Sequence, residues 1–142
     1  MELSLHYLLM ANHSMLQKLV LSKTKELGLT SGQPKVLDYL QDNDGAMQKD
    51  IAQGCHIEPS SLSTILNGME KAGLIERKTP GENRRTTCIY LTDEGRARCT
   101  ELNEIFASAE QQALDGLSPA ARHAVRALLA QIYNNLQSGE RK

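Results

Sequence analysis

The sequence predicts a mainly α-helical chain of about six helices with one small β-hairpin past its middle. Three observations carry this: a long opening stretch free of proline and glycine, two short amphipathic segments back to back between Met47 and Ile75, and an alternating segment, Thr86 to Leu91, reached across a turn.

The opening stretch, Glu2 to Leu27, reads as one helix with Tyr7, Leu8, Leu16, Leu19, Val20 and Leu27 among its apolar positions. With about 1.5 Å of rise per residue it spans roughly 35 to 40 Å, more than one small domain needs, so it is expected to seek a partner. Thr30 and Gln33 have the spacing of a capping box, with Leu29 as the preceding apolar residue. The helix they open turns Val36, Leu37 and Leu40 inward, and Asp42-Asn43-Asp44-Gly45 ends it as a polar turn.

Met47, Ile51, Ala52 and Cys55 then make the stripe of a short helix, His56, Ile57 and Glu58 form a break, and Pro59 opens a second helix where a missing N–H costs nothing. Leu62, Ile65, Leu66 and Met69 form its buried stripe, and Gly73 stops it. The other face carries Ser60, Ser61, Thr64, Asn67, Gly68 and Lys71. A solvent-facing helix is usually built from Glu, Lys, Arg and Gln, so this face sacrifices helix propensity. Short hydroxyl and amide side chains let a helix lie close to base edges in a DNA major groove. An indifferent surface helix fits this segment equally well, because helix-turn-helix geometry also occurs outside nucleic-acid binders.

The following residues favour the DNA reading. Leu74 to Lys78 is a short strand, Thr79-Pro80-Gly81-Glu82-Asn83 is turn chemistry, and Thr86 to Leu91 returns as a strand with Thr87, Ile89 and Leu91 on one face, able to cover Ile75. Arg84 and Arg85 sit at the turn, with Arg77 and Lys78 on the facing strand. A helix-turn-helix followed at once by a hairpin with a cationic tip is a winged helix-turn-helix, whose tip arginines would enter a narrow minor groove.

Nearly end to end, the chain resembles the MarR family of bacterial winged-helix transcriptional regulators. The resemblance rests on Leu29-Thr30, on Leu62 to Arg77 (LSTILNGMEKAGLIER), on Asn83-Arg84-Arg85 and on Leu91 to Gly95 (LTDEG). The family's wing usually reads Asp-x-Arg; here Arg85 matches the arginine and Asn83 replaces the aspartate. Gly68 stands where many members carry a bulkier polar or basic residue. The resemblance implies a homodimer joined through its N- and C-terminal helices, and release of DNA when a small aromatic or phenolic effector enters a crevice beside the winged-helix lobe.

Thr92 caps a further long helix to about Leu114, with Leu102, Ile105, Phe106 and Ala109 as its stripe. Ser118 and Pro119 start the last one, which carries Val125, Leu128, Leu129, Ile132 and Leu136. The expected organisation is a single domain over 1–142, with 29–92 as the winged-helix lobe and 1–28 and 93–142 as dimerisation helices. A two-fold dimer sets two reading helices about one duplex turn apart, matching a pseudo-palindromic operator.

Composition limits the alternatives. No signal peptide and no membrane-length apolar run is evident, so a cytoplasmic location without membrane association is expected. The net charge of −1 argues against a DNA binder, yet Arg77 to Arg85 holds four basic residues against Glu82 alone. Cys55, Cys88 and Cys99 have no paired spacing, and Cys55 and Cys88 read as buried structural thiols, with a thiol- or metal-responsive variant of the same regulator as an alternative. His6 and His13 share a helical face but lie too far apart for one metal without a third ligand, and neither His56 nor His123 has a nearby ligand, so no cofactor or metal is expected. No phosphate-cradling glycine loop or nucleophile motif points to an enzyme. The expected partners are double-stranded DNA, read by Ser60, Ser61, Ser63, Thr64 and Asn67 with Lys71, Arg77, Lys78, Asn83, Arg84 and Arg85 as flanking contacts, and a second copy of the chain. A winged-helix module that binds protein in place of DNA is the competing function.

Overall fold

The computed structural model describes residues 2–79, 81 and 86–140, and these form two compact units, Met1–Ala109 and Glu110–Lys142. In chain order the first unit contains α1 (Leu5–Thr24), a 3-10 turn (Lys25–Leu27), α2 (Gln33–Asp42), β1 (Ala46–Met47), α3 (Gln48–Cys55), α4 (Pro59–Lys71), β2 (Ile75–Lys78), β3 (Cys88–Leu91) and most of α5 (Asp93–Ala113). The second unit holds the end of α5 and α6 (Pro119–Glu140). Six α-helices and a small antiparallel sheet among the described residues give the mainly helical class that the sequence predicts.

The core of the first unit is aliphatic. Val36, Leu37 and Leu40 of α2, Ile51 of α3, Leu62, Leu66 and Met69 of α4 and Leu102 of α5 are fully buried, with Ile75 and Ile89 of the sheet beneath them. Burying a side chain of this size contributes about 1.5–3 kcal/mol, so this cluster fixes the pose of α4 on the lobe.

Helix ends follow local chemistry. Thr92 Oγ1 accepts the Gly95 N–H at 3.0 Å and Ser118 Oγ accepts the Ala121 N–H at 3.1 Å, the two caps foreseen from the sequence. At Thr30 the expected capping box is made in one direction: Gln33 Oε1 accepts the Thr30 N–H at 3.2 Å, but α2 begins at Gln33 itself, with Gly32 at φ 90° before it and Pro34 in its first turn. Helix α1 is shorter than expected, starting at Leu5 after Ser4, whose Oγ accepts the Tyr7 N–H, and tightening to a 3-10 turn from Lys25.

The hairpin gains a third strand, giving the order β1-β3-β2. Ile75 pairs with Leu91 and Lys78 with Cys88, while Ala46 and Met47 pair with Ile89 and Cys88 on the other edge. Asp44 makes this possible: its Oδ1 accepts the Leu91 N–H at 2.8 Å while Oδ2 pairs with Arg96 at 2.9 Å, and the Gly45 N–H reaches Ile89 O at 2.8 Å. The residues read as a polar turn also anchor an edge strand, and Met47 leaves the helix stripe assigned to it.

Two long helices bury little apolar surface within their own units. On α1 only Thr24 is buried, and Tyr7, Leu8, Met10, Met15 and Leu16 are exposed. On α6 no residue is buried, and Leu128 and Leu136 are each more than 60% exposed.

Candidate nucleic-acid interface

Helix α4 is held at both ends by backbone chemistry. Pro59 is its first residue, and Glu58 before it is extended while its carbonyl accepts the Leu62 N–H at 2.9 Å. At the other end the Leu74 N–H returns to Met69 O at 2.9 Å and the Gly73 N–H to Glu70 O at 3.0 Å, with Gly73 at φ 76°. This is a Schellman motif, and both apolar residues that flank it, Met69 and Leu74, are buried. It stops the helix and sends the chain back as β2.

With Leu62, Leu66 and Met69 against the core, the opposite face of α4 leaves Ser60, Ser61, Thr64, Asn67 and Lys71 exposed. Ser63 has a different setting. It is half-buried, donates to Pro59 O at 3.2 Å and accepts from Gln48 Nε2 at 2.7 Å, which ties the start of α3 to α4. Gly68 is half-buried and lies 3.5 Å, measured from where a Cβ would stand, from Gln33 Nε2.

Arg77, expected from the sequence as a flanking DNA contact on the strand facing the wing turn, is engaged within the protein. Its Nη1 donates to Asn67 Oδ1 at 3.0 Å and to Glu70 Oε1 at 3.4 Å, so β2 reaches back to the exposed face of α4. Lys78 lies 5.4 Å from the Tyr90 ring centroid and 3.5 Å from Glu76 Oε2, and it remains largely exposed. Asn83, Arg84 and Arg85 lie outside the described residues.

A crevice of about 200 Å³ opens within the first unit between α1, the start of α2 and α5. Leu16, Val20, Leu21, Pro34 and Phe106 supply apolar walls, and His13, Gln17 and Lys35 supply polar groups.

The thiols are placed for packing. Cys88 and Cys99 are buried and Cys55 is half-buried. Cys55 Sγ donates to Lys35 O and Cys99 Sγ to Leu37 O, both at 3.5 Å. Burial, opposed by Lys35 and reinforced by Asp38, pushes the Cys55 thiol up to about 11. Burial and Asp38, opposed by Arg96, do the same for Cys99, also to about 11. Both thiols therefore stay protonated at neutral pH, which makes them poor nucleophiles. Among the described residues no group of three or more His, Cys, Asp or Glu is arranged to hold a metal ion, and no helix is long and apolar enough to cross a membrane.

Two short helices packed at a tight break, the second presenting a small polar face and running straight into an antiparallel sheet, define a winged helix-turn-helix protein. A profile described as "MarR family" matches residues 27–86, the stretch from the 3-10 turn to just before β3. The structure resembles that of S. aureus MepR in complex with DNA, at 29% identity and a TM-score of 0.80, covering 95% of this chain and 99% of that one. It is similarly close to CouR, a transcriptional repressor bound to a 23-mer DNA duplex, at 28% identity and a TM-score of 0.82, covering 94% and 99%. A candidate transcriptional regulatory protein for the hcr operon of Thauera aromatica is 28% identical over 106 residues, which are 75% of this chain and 64% of that protein. The chain thus spans slightly less than two thirds of that relative's length.

Proposed function

We propose that the protein is a DNA-binding transcriptional repressor that occupies a pseudo-palindromic promoter site as a homodimer and leaves it when a small aromatic or phenolic ligand binds. The observation that carries this is the exposed face of α4, where Ser60, Ser61, Thr64 and Asn67 stand opposite the buried Leu62, Leu66 and Met69. A helix rigidly seated by its apolar side and bare of long side chains on the other is the shape a major groove admits. The likeness to MepR and CouR, each captured on DNA, supports the same reading.

In this account Ser60, Ser61, Thr64 and Asn67 face the base edges and Lys71 reaches phosphate. Ser63, engaged with Gln48, supports the helix and turns toward the groove only if that bond is exchanged. Lys78 and the wing residues Asn83, Arg84 and Arg85 contact the backbone and the adjacent minor groove. Since the chain carries a net charge of −1, nonspecific affinity should be low, because that term comes mainly from counterion release.

The exposed apolar side chains of α1 and α6 are what a second copy would cover, and they support the reading of residues 1–28 and 93–142 as dimerisation helices. The crevice beside α1 suits a small aromatic anion, its ring against Leu16, Val20 and Phe106 and its charge toward Lys35. Such a ligand releases DNA only by binding the DNA-incompetent arrangement more tightly.

The test is selection from a randomised duplex library, followed by titration of the enriched duplex at several salt concentrations. Enrichment of an inverted repeat is the expected result, and a library left flat would end the proposal. On the enriched duplex, Arg85→Ala is expected to weaken binding for every sequence and to reduce the salt slope by about 1, the loss of one cation contact. An unchanged slope would remove the wing from the mechanism.

A further inference from the structure

We propose that Arg77 is a specificity-determining positioning residue: it turns the Asn67 carboxamide so that α4 offers the duplex a hydrogen-bond donor and selects guanine over adenine at the base pair Asn67 meets. The inference rests on α4 being the DNA-reading helix.

An asparagine side chain is two-ended, with an oxygen that accepts and an NH2 group that donates. The usual recognition of adenine by asparagine uses both ends at once, the oxygen accepting from N6 and the nitrogen donating to N7. In this structure the oxygen has a partner within the protein: Arg77 Nη1 lies 3.0 Å from Asn67 Oδ1. Guanidinium only donates, so the chemistry fixes which end of the amide faces it. The same Nη1 lies 3.4 Å from Glu70 Oε1, one helical turn beyond Asn67, and this second anchor holds the guanidinium over the helix. Both Asn67 and Glu70 are exposed, while Arg77 is half-buried on β2, so the brace is fixed from the protein side.

With Oδ1 turned toward β2, the group left for a base is the Nδ2 hydrogens. Guanine presents two acceptors in the major groove, N7 and O6, and thymine one, O4, beside its methyl group; adenine presents N7 beside a donor, and cytosine presents a donor. The two hydrogens of an outward NH2 match both guanine acceptors, whereas thymine offers one acceptor, adenine one acceptor next to a like donor, and cytosine only a like donor. Arg77 exerts this preference without touching DNA.

Selection from a randomised duplex library with four variants tests it. Asn67→Ala identifies the position concerned, as the one whose preference flattens. There the parent should select guanine over adenine by about tenfold, within the range expected for one good side-chain to base contact. Arg77→Met keeps the stem and removes the donor, so the amide turns freely and adenine should rise to parity or beyond. Arg77→Lys retains a donor and should restore guanine. Asn67→Asp, an isosteric change at an exposed site that leaves the fold intact, replaces the outward donor by an acceptor and should replace guanine by adenine or cytosine, whatever the stability of the Arg77 variants. Adenine in the parent at that position, or guanine retained in either Arg77→Met or Asn67→Asp, overturns the proposal while leaving α4 as the reading helix. A parent that enriches no motif overturns both.

Discussion

Gly95→Ala is expected to cost the winged-helix lobe about 3 kcal/mol and to lower its melting temperature by about 10 °C. A Cβ at Gly95 would collide with the Leu74 carbonyl oxygen and stand 3.2 Å from the Leu91 side chain. The first of these neighbours is backbone and cannot swing aside. It is also held, because Leu74 O accepts the Thr92 N–H at 3.1 Å and the Leu74 N–H closes the end of α4. Three elements therefore meet at one carbonyl: the end of α4, the end of β3 and the start of α5. A methyl group there must separate α5 from the turn that fixes the reading helix. Urea unfolding followed by circular dichroism measures the loss. A change under about 0.5 kcal/mol, ordinary for a surface substitution, would show that this close approach is not what the glycine serves.

The largest effect on function is expected from Ser61→Glu. Ser61 is exposed in the first turn of α4, where a carboxylate complements the helix dipole, so the substitution should leave stability unchanged or slightly raised. On the DNA-facing side the same carboxylate meets phosphates and base acceptors. Like-charge contact at an interface costs several kcal/mol, so affinity for the enriched duplex should fall at least about 100-fold, which corresponds to roughly 3 kcal/mol. A titration by fluorescence anisotropy beside a thermal melt separates the two effects. Retained affinity with an intact fold would move the DNA contact off α4.

Much of this was readable from local patterns. The apolar stripes of α2 and α4, the caps at Thr92 and Ser118 and the stop at Gly73 are short-range chemistry, and each falls where the sequence puts it. The third strand was not readable, since two residues carry no alternation and their pairing depends on Asp44 reaching Leu91 across the lobe. Ser63 illustrates a finer limit. It shares its chemistry with Ser60, Ser61 and Thr64, and only its angular position on the helix, which turns it toward Gln48, separates it from them. Arg77 reads in sequence as one more positive charge. Its partners become visible once the Schellman turn folds β2 back along α4, bringing together residues that no periodicity relates. Gly95 was visible as part of a motif, whereas its reason, a carbonyl contributed from Leu74, is non-local.

In the proposed complex Pro59–Lys71 lies in a major groove, twice per site. Dimethyl sulfate interference on the library-selected duplex tests this most directly, because methylation at guanine N7 blocks only the major-groove edge. Two clusters of interfering guanines are expected, centred about 10 base pairs apart and related by the two-fold symmetry of the site. Tight binding that tolerates methylation at every guanine N7, or a single unrepeated cluster, would contradict it.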